Sequence, residues 1–119
     1  MSRWTTLLLA IQALLLAVAS LVHAGILLSG YEHSRAAVAE GVIALVLFAG
    51  LVVSLVRPQS TRTTALVTQG FALLGTLVGA FTIAIGVGPQ TTADYVFHVL
   101  LLALLVSGLV VAWKSKRAF

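Results

Sequence analysis

Cysteine is absent from this 119-residue chain, which excludes disulfides, thiolate metal sites and covalent c-type haem attachment. Carboxylates are nearly absent too. Three Asp or Glu stand against seven Lys or Arg, for a formal net charge of +4. Charged residues make up 8% of the sequence and apolar residues 61%, with a mean hydropathy of +1.14. Soluble domains are usually about 45–50% apolar, and a water-soluble core cannot absorb this excess. Also missing are a nucleophile elbow, a phosphate loop, a His-Glu-x-x-His helix and a soluble domain to carry a substrate. Hydrolytic catalysis therefore finds no support, and any enzymatic activity would be redox chemistry supplied by a cofactor. The period-two alternation of a transmembrane barrel does not occur. A pI near 10.4 is no sign of nucleic-acid binding, because the few basic residues flank apolar runs, where anionic membrane lipid accounts for them.

What the chain has is long apolar runs. Residues 4–31, 63–93 and 95–113 contain no Asp, Glu, Lys or Arg, and 36–56 is interrupted by Glu40 alone. Each run exceeds the roughly 18 residues that mark a membrane-spanning helix. Four spans are expected, at about 4–28, 36–56, 64–87 and 92–113. They are separated by the polar run Ser29 to Arg35, by Arg57-Pro58-Gln59-Ser60 and by Gly86-Val87-Gly88-Pro89-Gln90. Connections this short imply a single antiparallel four-helix transmembrane bundle, with successive helices as neighbours. The first run stays apolar past Val22-His23-Ala24, so it reads as a span and not as a cleaved leader.

The basic residues orient the bundle. Arg3, Arg57, Arg62, Lys114, Lys116 and Arg117 fall at one end and Arg35 alone at the other. The positive-inside rule then places both termini in the cytoplasm, with the protein in the cell (inner) membrane. Trp4 and Trp113 at the terminal end, and Tyr31 and Tyr95 at the opposite one, suit interfacial anchors.

Ionisable residues inside spans are costly and point to function. His23, Glu40 and His98 lie in three different spans, each roughly 6–9 Å below the outer boundary at 1.5 Å per residue. Asp94 precedes His98 by one helical turn on the same face. Every histidine and carboxylate of the chain belongs to this half. In a ring of helices ordered one to four, His23 approaches both Glu40 and His98. A weak internal repeat of 58 residues equates Glu40 with His98, and Gly50-Leu51-Val52-Val53 with Gly108-Leu109-Val110-Val111.

The leading functional expectation is a haem b electron-transfer protein with His23 and His98 as axial ligands. Glu40 and Asp94 stand behind the imidazoles, and Gly75 and Gly79 form a wall against the macrocycle. In general layout the chain resembles small four-helix membrane cytochromes, which implies a redox partner or a larger membrane complex. A second reading has His23, Glu40, Asp94 and His98 binding copper or zinc. A third makes Glu40 the coupling carboxylate of a small proton-coupled transporter, with His23 and His98 beside it. In length and span number the chain resembles the small multidrug-resistance transporters, although their essential acid lies in the first span, where this sequence has Gln12 and His23. A cofactor-free accessory subunit is the fourth reading. Milder roles accompany these: Glu40 reaching outward from its first turns, His23 bonded to Ser20, Asp94 capping span four, and His33 solvated in its loop. In the other half, Gln12 and Gln69 are expected to bond across helices. Gly75-Thr76-Leu77-Val78-Gly79 suits close packing within the bundle or in a homodimer, and Ala10, Ala13, Ala17, Ser20 and Ala24 form a similar seam on span one.

Overall fold

The computed structural model describes residues 2–115. Lys116 and Arg117, part of the basic terminal end, lie outside the described residues. Among the described residues the chain forms four α-helices and no strand: α1 (Ser2–His23), α2 (Ser34–Val56), α3 (Thr61–Ala84) and α4 (Thr92–Lys114). All four are long and apolar enough to cross a membrane. A helix of 22 residues rises about 33 Å, enough for a hydrocarbon core about 30 Å thick. The bundle extends 48 Å along its long axis.

Two helices stop earlier than hydropathy suggests. The first ends at His23 although Ile26, Leu27 and Leu28 follow it. The cause is Gly25, which takes the left-handed conformation (φ 78°) and closes a Schellman turn. Gly25 N donates to Val22 O and Ile26 N to Leu21 O, each at 3.0 Å. Helix α3 ends in the same way at Gly86 (φ 82°), where Gly86 N donates to Ile83 O (3.1 Å) and Val87 N to Thr82 O (2.9 Å). Both turns lie at the end of the bundle remote from the termini, here called the distal end. At the terminal end, α2 and α3 are joined by the tight 3-10 turn Pro58–Ser60.

Helix α1 packs against α2 and α4 and also reaches α3 across the bundle. Its closest partner is α2, along the predicted alanine seam: Ser20 Oγ donates to Ala37 O at 2.6 Å, and a Cβ at Gly41 would stand 3.1 Å from that hydroxyl. Lipid provides no hydrophobic drive for helices to associate, so small residues and polar contacts do this work. Large apolar side chains such as Leu14, Leu45, Leu74 and Leu100 are exposed on the outside of the bundle, as lipid-facing surface requires. Midway along the axis the interior closes in an apolar layer of Leu16, Ile43 and Leu101, all buried. Ile43 is three residues from Glu40, and Leu16 and Leu101 are each seven residues from His23 and Asp94.

Below this layer Gln12 and Gln69 are both fully buried, and Gln12 Nε2 donates to Gln69 Oε1 at 2.8 Å and to Leu104 O at 3.0 Å. The predicted amide pair is present. Gly108 makes room for it, because a Cβ there would collide with Gln69 Oε1. Gly50, its counterpart in the weak repeat, lies against Thr68, so both glycines abut consecutive residues of α3. At the terminal end the Arg62 guanidinium stacks on Trp113, 4.8 Å from the ring centroid, and donates to Trp113 O.

Candidate functional site: a carboxylate–imidazole–carboxylate cluster

Three helices bring their ionisable residues to one point in the distal half. His23 is the last residue of α1, Glu40 lies two turns into α2, and Asp94 is in the first turn of α4. The imidazole lies between the two carboxylates, with Nδ1 2.6 Å from Glu40 Oε1 and Nε2 2.9 Å from Asp94 Oδ1. The three residues are 4%, 7% and 5% exposed, so water does little to screen them.

Local structure fixes each member. His23 carries the Schellman turn directly behind it, and its carbonyl accepts from His33 N at 2.8 Å. Asp94 completes a capping box: its Oδ2 accepts from Thr91 N (3.1 Å) and Thr91 Oγ1 (2.5 Å), while Thr91 Oγ1 accepts from Asp94 N. The predicted capping role and the contact to His23 are thus shared between its two oxygens. Helix macrodipoles complement a cation at the end of α1 and an anion at the start of α4. Glu40 gives Oε1 to the ring, and its second oxygen makes no hydrogen bond among the described residues.

Proton counting follows from this geometry. A carboxylate oxygen only accepts, so each of the two short contacts must contain a proton. Two protons shared among one imidazole and two carboxyl groups leave the cluster with a net charge of −1. A third proton would neutralise it.

His98, expected beside His23, faces elsewhere. Its Nδ1 donates to the Asp94 carbonyl at 2.8 Å, which makes Nε2 the acceptor of the neutral ring. Nε2 points at α3, where a Cβ on Gly79 would stand 3.0 Å away. The reason is the early end of α1: His23 is level with the first turn of α4, whereas His98 is one turn deeper. Gly75 admits Ile43 of α2. The glycine motif of α3 therefore serves contacts inside the bundle.

Glu40 and His98 border a common cavity of about 240 Å³ between α2, α3 and α4, whose wall includes Gly75, Thr76, Gly79 and Thr82. It extends to His33 and Arg35 at the distal end. A second cavity of about 290 Å³, overwhelmingly apolar, touches His23 and Asp94 from the other side, next to Tyr31 and Phe97. The cluster is thus a partition between two cavities.

His33 is a functional part of the scaffold that its loop position concealed. It caps α2, with Nδ1 accepting from Ala36 N (3.2 Å), and Nε2 donates to Val87 O (3.4 Å), tying loop one to loop three. Ser20, considered as a partner for His23, bonds Ala37 instead. Among the described residues no group of three or more His, Asp or Glu side chains is arranged to hold a metal ion. Comparison with protein families, curated proteins and solved structures finds no match for this chain.

Proposed function

We propose that this chain is a small proton-coupled carrier of the cell (inner) membrane, with both termini in the cytoplasm. In this reading the Glu40–His23–Asp94 cluster is the proton site, and the cavity bordered by Glu40 and His98 is the solute site. The observation that carries the reading is the His23 ring bridging two buried carboxylates from two other helices, at 2.6 and 2.9 Å. A group that exchanges one proton for one solute charge needs this: a buried acid with a partner that can supply or take the proton, and an open face toward the solute. Positive-inside asymmetry of the sequence supports the orientation.

Haem b receives less support from the same geometry. Both ring nitrogens of His23 are engaged by carboxylates, so the residues do not fit a bis-imidazole ligand pair as they stand. Copper or zinc would likewise have to displace a carboxylate from the ring. Either cofactor would be betrayed by an absorption band or by stoichiometric metal in the purified protein.

The decisive experiment is reconstitution in liposomes carrying a pH gradient, with movement of test solutes followed together with internal pH. Solute uptake that dissipates the gradient in the wild type and vanishes in Glu40→Gln is the expected result. A gradient that no solute discharges, across a panel of cationic, neutral and anionic compounds, would overturn the reading.

A further inference from the structure

The polar atoms that the Glu40–His98 cavity offers are acceptors. Glu40 presents its free carboxylate oxygen. In its neutral form His98 presents Nε2 as an acceptor, because the Nδ1 proton is spent on the Asp94 carbonyl. The hydroxyls of Thr76 and Thr82 donate to Ala72 O and Gly79 O, both at 2.7 Å, within their own helix. Only their oxygen lone pairs remain for a ligand. His33 at the rim donates to Val87 O. Arg35 is the exception, and it is exposed at the distal mouth, where its charge is screened. A ligand whose polar end accepts hydrogen bonds would find nothing inside to bond. A ligand with N–H donors and a positive charge would meet a cluster of net charge −1.

Resting on the reading of this cavity as the solute site, we infer that it binds a small organic ammonium ion with at least one N–H and a compact apolar body. The N–H groups bond the Glu40 carboxylate and His98 Nε2, and the apolar body lies against Ile43, Phe97 and Leu101 of the cavity wall. Gly79 is the positioning residue: a methyl group there would sit 3.0 Å from Nε2 and cover its lone pair. Ammonium and proton compete for Glu40, so binding of one releases the other.

Three probes that share one aromatic body separate the elements of recognition: 1-naphthylmethylammonium, its trimethylammonium analogue without N–H, and the uncharged 1-naphthalenemethanol. Binding to the full-length protein in detergent is followed by naphthyl fluorescence. The primary ammonium should bind at least about tenfold more tightly than either analogue, the difference expected of one charge-assisted hydrogen bond. Glu40→Gln should lose about tenfold for the ammonium and little for the alcohol. Gly79→Ala, which leaves the cluster intact, should weaken the ammonium while the circular dichroism is unchanged. Equal affinity for the trimethyl analogue, or an ammonium affinity indifferent to both substitutions, would overturn the inference. Selective ammonium binding without proton-coupled flux in liposomes would leave the site standing and remove the carrier. Flux of a different solute with no ammonium binding would do the reverse.

Discussion

At the scale of single residues, His23 is the position on which the distal half depends. It separates two carboxylates that would otherwise face each other in a medium of low dielectric, and it satisfies one oxygen of each. Removing one partner from a buried charged group typically costs about 3–5 kcal/mol. His23→Ala should therefore lower the unfolding free energy by about that much in a denaturant titration in micelles. Glu40→Gln should cost less, because it removes one of the two like charges and keeps an amide oxygen at the ring. Equal losses for the two variants would mean that the ring acts as filling and not as a bridge.

At the scale of elements, the glycines that end α1 and α3 set where the chemistry lies. Gly25→Ala places a Cβ on a left-handed residue, at a cost of about 1–2 kcal/mol, and directs that Cβ to 2.9 Å from Glu32 Cγ. Hydrogen exchange of the amides at positions 25 and 26 should rise, and His23 should lose its fixed height against Asp94. Unchanged protection at Ile26 would show that the apolar stretch after the turn, and not the glycine, ends the helix.

The same elements explain what was legible in the sequence. Four helices, their short connections, the Gln12–Gln69 pair and the proximity of His23 to Glu40 follow from hydropathy and helical spacing. The stop at His23 does not, because a hydropathy window reads Ile26, Leu27 and Leu28 as more span, while the stop depends on the backbone conformation of one glycine. The error carries forward. With the helix end misplaced by five residues, His98 appeared level with His23 when Asp94 is its true counterpart. The hydroxyl protons of Thr76 and Thr82, and hence the acceptor-only cavity, depend on rotamers that no sequence pattern displays.

At the scale of the whole molecule, the absence of cysteine makes topology directly measurable. Single cysteines at Ser29 in loop one and Gln59 in the turn between α2 and α3, both exposed, should label oppositely with a membrane-impermeant maleimide. On intact cells lacking an outer barrier, Ser29→Cys is expected to react and Gln59→Cys to stay protected until the membrane is opened. The reverse pattern would invert the orientation inferred from the basic residues.

The apolar layer of Leu16, Ile43 and Leu101 has an electrical consequence. It lies between the cluster and the terminal side, so a proton reaching the cluster from the distal face crosses less of the membrane than one from the terminal side. A full crossing of one charge is worth about 2.3 kcal/mol per 100 mV. Glu40 lies six residues into α2, about 9 Å along the helix, so a proton reaching it from the distal face passes through about a third of a core about 30 Å thick, ~0.7 kcal/mol per 100 mV. For a proton entering from the distal face, the charge state of the cluster would therefore respond to membrane potential with about a third of the weight of a full crossing.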